Sequence, residues 1–137
     1  MAISLKKIIC AVDFSIVSDA VIHYAAEMHG TNMELIVLHV ASEGEKNKGL
    51  HGIHLSEFSR YSDILQKYRV KSRFAILYGE PAICILNYAA EHEADMILIG
   101  SHGTKAIGRL LVGSTAESVM RNAHCPVVVM KIPDNNK

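Results

Sequence analysis

The stretch Asp95-Met96-Ile97-Leu98-Ile99-Gly100-Ser101-His102-Gly103 sets an unbroken apolar run against a glycine-bracketed polar turn. The run is too short for a buried helix. Apolar side chains on consecutive rather than alternate positions need cover on both faces, as the strands of a parallel sheet do. Three more β-branched-rich runs read the same way: Ile8 to Val12, Leu35 to Val40 and Val127 to Met130. A fifth, Val70 to Tyr78, is half polar through Lys71, Ser72 and Arg73 and suits a sheet edge.

Between these runs the apolar spacing changes to that of helices. From Ser15 to His29, Val17, Val21, Tyr24, Ala25 and Met28 predict a helix with Gly30 at its C-terminal cap. Leu55 to Tyr68 predicts a second, with Phe58, Tyr61, Leu65 and Tyr68 on one stripe. Pro81, in a first turn, opens a third that runs to about Glu93. The fourth starts at Ser114-Thr115-Ala116-Glu117, where a serine three residues before a glutamate forms a capping box; Ala116, Val119, Met120 and Ala123 supply its buried face. Pro126 then blocks the helix and starts the last strand. Residues 42–54, rich in Gly, Lys and Glu, read as a loose, mobile loop.

Strand and helix alternate throughout. The pattern predicts one domain, residues 1–137, built as a three-layer α/β/α open sheet of five mostly parallel strands with right-handed crossovers. Covering both faces requires the chain to reverse its winding once, and ligands in such folds bind beyond the carboxyl ends of the strands at that reversal.

Composition agrees with a packed domain. Of 137 residues, 50% are hydrophobic and 20% charged, which excludes disorder over most of the length. Lys and Arg total 14 and Asp and Glu total 14, so the electrostatic footprint of a nucleic-acid binder is missing. Cys10, Cys84 and Cys125 are far apart and form no Cys-x-x-Cys pair, so they read as small hydrophobes in a reducing compartment. The N-terminal residues lack the form of a signal peptide, and no run approaches the roughly 18 apolar residues of a membrane span. A cytoplasmic protein without membrane attachment is expected.

Chemistry is expected in the long loop after the fourth strand. Gly100-Ser101-His102-Gly103 opens it and Gly113-Ser114 closes it, with nine residues between Gly103 and Gly113. At the start of the following helix, Gly113, Ser114 and Thr115 can present N–H donors to an anion such as phosphate. Alternatively, Gly103 and Gly113 only supply left-handed turns and Ser114 only caps the helix. Asp13, after the first strand, can accept from ribose hydroxyls or an adenine amino group, or can serve as an N-cap. His23 with Glu27, and His51 with His54, are weak metal candidates outweighed by ordinary surface roles. His102 is open between phosphate contact and solvent, and Lys105 and Arg109 are placed to neutralise phosphate charge. Neither the P-loop pattern nor Gly-x-Gly-x-x-Gly occurs.

Gly-x-x-Gly, nine residues and Gly-Ser, together with Ala11-Val12-Asp13-Phe14-Ser15, Leu38-His39-Val40, Gly79-Glu80-Pro81 and His124-Cys125-Pro126-Val127-Val128-Val129, resembles the ATP-binding branch of the universal stress protein family. The resemblance implies a Rossmann-like sheet in the order 3-2-1-4-5 and ATP (or AMP or ADP), a ligand that can bring Mg2+ or Mn2+ with it, between strands one and four. It implies Ala11, Val12 and Asp13 on the adenosine side and Val40 and Ile99 beside the base. Gly100, Ser101, Gly103, Gly113, Ser114 and Thr115 would hold ribose and phosphates. It further implies a homodimer through strand 126–131. Two functions follow: a nucleotide-occupied regulatory module of the stress response with an unknown protein partner, or a slow ATP hydrolase or nucleotide-dependent transferase. A phospho-accepting receiver domain is disfavoured, because Phe14 rather than a second acid follows Asp13.

Overall fold

The computed structural model describes residues 5–30, 32–46, 52–101 and 112–131. Each unbroken apolar run has become a strand: β1 (Lys7–Val12), β2 (Glu34–Ala41), β4 (Met96–Gly100) and β5 (Val127–Met130), with the half-polar run forming β3 (Lys71–Tyr78). The strands pair in parallel in the order β3-β2-β1-β4-β5. β1 is the innermost, with Cys10 set between Val37 of β2 and Leu98 of β4. The half-polar β3 lies at one edge, as its composition requires, and β5 at the other.

Alternate residues of each strand enter two separate cores. Ile8, Cys10, Val12, Leu35, Val37 and Leu98 pack on one face beneath α1 (Ile16–Met28) and α3 (Gly52–Lys67). Ile9, Ala11, Ile36, Leu38, Ile97 and Ile99 pack on the other beneath α4 (Pro81–Glu91) and α5 (Ser114–Asn122). Each fully buried Ile or Leu contributes roughly 1.5–3 kcal/mol through the apolar surface it removes from water. Gly79, at φ 141, makes the turn out of β3, a conformation closed to other residues. Glu80 then caps α4 by accepting the Ala82 and Ile83 N–H groups, with Pro81 in the first turn as expected.

The helix ends depart from the sequence reading in several places. α1 closes on His29 (φ −63, ψ 150) rather than on Gly30 as its cap, and the left-handed residue after it is Asn32, at φ 66. Residues 42–54 are not all loop. A short helix, α2 (Glu43–Lys46), follows Ser42, whose N–H and hydroxyl both donate to Glu45 Oε1, at 3.4 and 3.2 Å. α3 then begins at Gly52, while residues 47–51 lie outside the described residues. The expected capping box at Ser114 does not form: Gly113 is the N-cap, without a side-chain bond, and Ser114 is already helical. Three residues assigned to buried stripes, Tyr24, Tyr68 and Met120, are exposed. Tyr24 and Met120 sit at the margins of their stripes, where one position of rotation moves a side chain from core to solvent, and Tyr68 lies in the turn past the end of α3.

Candidate functional site

The chain winds outward from β1 through β2 to β3, then returns to place β4 on the other side of β1. β1 is followed by α1 on one face, and β4 is followed by α5 on the other. Diverging connections of this kind open a crevice between the two carboxyl ends. Ala11 and Ile99 pair across it, each 6% exposed, and share an apolar cluster with Ala116 and half-buried Val40. Together they make this face of the sheet apolar at its carboxyl end. Val12, expected beside them, turns its side chain into the opposite core, so it offers the crevice only backbone.

Asp13 follows Val12 and is not the cap of α1, since Ser15 fills that role through Ser18 N–H. Its Oδ1 accepts from the Ser18 hydroxyl at 2.9 Å and the Ser15 N–H at 3.1 Å, while its own N–H donates to Ser18 Oγ at 2.9 Å. Phe14, next in the chain, has φ 66. Its ring lies 4.4 Å from the His39 ring, 5.5 Å from Phe58 and 6.1 Å from Tyr61, centroid to centroid. His39 is itself buried, and its Nδ1 donates to the Val12 carbonyl at 2.9 Å. A carbonyl can only accept, so Nδ1 carries the proton.

Across the crevice, β4 runs into Gly100 and buried Ser101. The Ser101 N–H donates to the Met130 carbonyl at the end of β5, and its carbonyl accepts the Gly113 N–H, both at 2.6 Å. This second bond fastens the start of α5 against the end of β4. It also corrects both readings of Gly113: its N–H is occupied within the protein, and its backbone (φ −63, ψ 159) is extended rather than left-handed. The first helical bond is Glu117 N–H to Gly113 carbonyl. The N–H groups of Ser114, Thr115 and Ala116 have no partner among the described residues. They form the positive end of α5, the geometry that accepts an anion. Glu117, in the same turn, is paired with Arg121 at 3.2 Å.

Ala11, Asp13, Ile99, Gly100, Ser101, Gly113, Ser114 and Thr115 are thus brought to one end of the sheet, with Val40 on the neighbouring strand. His102, Gly103, Lys105, Arg109 and His51 lie outside the described residues. His23 and Glu27 are exposed on α1, His54 falls in the first turn of α3, and among the described residues no group of three His, Cys, Asp or Glu is placed to hold a metal. Sequence reasoning missed Ser18 and His39. The spacing Asp13-x-Ser15-x-x-Ser18 and a histidine inside an apolar strand were the available signals.

The pattern of the universal stress protein family matches residues 4–131. Universal stress protein YxiE of Bacillus subtilis is 30% identical, covering 92% of this chain and 99% of its own length. Universal stress protein MJ0577 of Methanocaldococcus jannaschii is 29% identical over 96% of this chain and 98% of its own. The solved structure of MJ0577 superposes with a TM-score of 0.82, covering 97% of this chain and 100% of the other. A universal stress protein from Archaeoglobus fulgidus, solved in complex with dAMP, is 26% identical with a TM-score of 0.69, covering 95% of this chain and 100% of that one. Matches to three other universal stress proteins, from M. jannaschii, Synechocystis and Thermus aquaticus, span only 40%, 43% and 41% of their lengths. A family match running from before β1 to the end of β5, on a sheet with this strand order, means that the chain belongs to the universal stress protein family.

Proposed function

We propose that the crevice between β1 and β4 binds an adenine nucleotide, ATP or its di- or monophosphate, and that the protein is a dimeric regulatory module whose partner surface answers to nucleotide occupancy. The observation that carries this reading is the open first turn of α5, fastened to the end of β4 by the Gly113 to Ser101 bond. Ser114, Thr115 and Ala116 would donate to phosphate oxygens, with Gly100, Ser101 and Gly103 completing the cradle. Ala11, Val40 and Ile99 would receive the base, and Asp13 a hydroxyl or amino group. The dAMP bound by the A. fulgidus relative supports the choice of adenine. A metal would arrive with the phosphates, held by them rather than by a cluster of the chain's own acids. Pairing of β5 edges would supply the dimer, and three free cysteines suit a reducing, cytoplasmic setting.

Ser114→Pro tests the site. Proline is accepted at the first helical position, and Gly113 already has the extended backbone a following proline requires, so the helix should survive while one donor is lost. Calorimetric titration should show ATP weakened about tenfold or more, in line with one charge-assisted hydrogen bond, with adenosine affinity and the thermal melt nearly unchanged. Unchanged ATP affinity would place the phosphates elsewhere. Light scattering should give twice the mass of one chain.

A further inference from the structure

We infer that Ser18 is a positioning residue for the nucleotide, acting through Asp13. The inference rests on the nucleotide reading above and names a residue that reading does not use. Ser18 is 3% exposed, on the face of α1 that also buries Val17, Val21 and Ile22. A hydroxyl there costs stability unless it is bonded, and both of its bonds run to one residue. It donates to Asp13 Oδ1 and accepts from the Asp13 N–H, each at 2.9 Å. With the Ser15 N–H also on Oδ1, one carboxylate oxygen is taken up by α1, while Oδ2 has no partner among the described residues.

The helix start does not need this arrangement, because Ser15 caps α1. Its effect is directional. Rotation of the Asp13 carboxylate would break two bonds at once, so Oδ2 is held in a fixed orientation toward an incoming hydroxyl or amino donor. The backbone on either side is held as well, by the His39 bond to the Val12 carbonyl and by the ring contacts of Phe14. A carboxylate oriented before the ligand arrives loses less side-chain freedom on binding.

The test is a double-mutant cycle on ATP affinity, read by calorimetry, with a thermal melt of every variant. ATP is the probe because its phosphate contacts keep binding measurable when the Asp13 contact is lost. Ser18→Ala should weaken ATP about tenfold, the equivalent of one net hydrogen bond, and should have no further effect once Asp13→Ala is present. Ser18→Thr, which keeps the hydroxyl, should restore affinity relative to Ser18→Ala whatever its melt. Equal losses in the Asp13 and Asp13→Ala backgrounds would overturn the inference, since a merely structural role is additive. Unchanged ATP affinity in Ser18→Ala would overturn it while leaving the nucleotide reading intact. Failure of the unaltered chain to take up ATP would overturn both.

Discussion

Phe14 holds a backbone conformation, φ 66, that costs a residue with a β-carbon about 1–2 kcal/mol. The rings of His39, Phe58 and Tyr61 keep it there, and this sets the order expected of two substitutions. Phe14→Ala and Phe14→Gly both lose the ring packing, roughly 2–4 kcal/mol for a partly buried phenylalanine. Elsewhere alanine would be the milder change by about 0.5–1 kcal/mol. Here only glycine escapes the left-handed penalty, so Phe14→Gly should be at least as stable as Phe14→Ala in urea denaturation. An alanine variant more stable by the usual margin would mean that the backbone relaxes once the ring is gone. None of this shows in the sequence, where an aromatic after Asp13 gives no hint of positive φ. Asp13 itself was legible as a polar residue ending an apolar run. Its partner Ser18 was not, because a buried serine looks like any other small residue on a helix face.

α5 begins without a side-chain cap, and that vacancy can be filled by substitution. Gly113→Asp would accept a first-turn N–H and add negative charge at the positive end of the helix, stabilising by a few tenths of a kcal/mol to about 1 kcal/mol. The same carboxylate would compete with and repel phosphate. The expected outcome is a raised melting temperature with ATP affinity reduced at least tenfold and adenosine affinity little changed, measured on the same sample; loss of both affinities together would point to a misfolded crevice instead. Helix termini were also where sequence reasoning failed most. Ser114-x-x-Glu117 and Ser42-x-x-Glu45 fit the same capping pattern, yet only at Ser42 does the glutamate reach back to the serine N–H. At Ser114 the helix has already begun, because the Ser101 carbonyl takes the Gly113 N–H and fixes the entry one residue earlier. That contact joins residues far apart in the chain, which local pattern cannot see. The strands were legible almost to their ends, since burial on both faces writes itself as consecutive β-branched residues.

The folded protein disfavours the charged forms of two ionisable groups. Burial pushes the Cys10 thiol far up; the Tyr61 phenol is raised first by burial and then by the nearby Asp19 carboxylate. Unfolding frees both to ionise at ordinary values, about 8.5 and 10. Above about pH 8.5 the unfolded chain therefore holds fewer protons than the native one, and stability falls as pH rises; below that it is unaffected by these groups. Melting temperature should drop between about pH 8.5 and 11, and Tyr61→Phe, which removes the phenol beside the Asp19 carboxylate, should flatten the upper part of that decline. A slope unchanged in Tyr61→Phe would assign the effect to other groups. The strand order has its own consequence in time. Every N–H of Ile8, Ile9 and Cys10 is shielded by cores on both faces and by neighbours on both sides, whereas among the described residues β5 pairs only with β4, and its residues are half-buried. In heavy water, deuterium should enter this sheet from its rims inward. The amide of Cys10 would exchange only when the whole chain unfolds, so its rate is a clock for global opening; the outward amides of Val127–Met130 should run fast at dilution, and under the proposed β5 pairing they should slow as protein concentration rises.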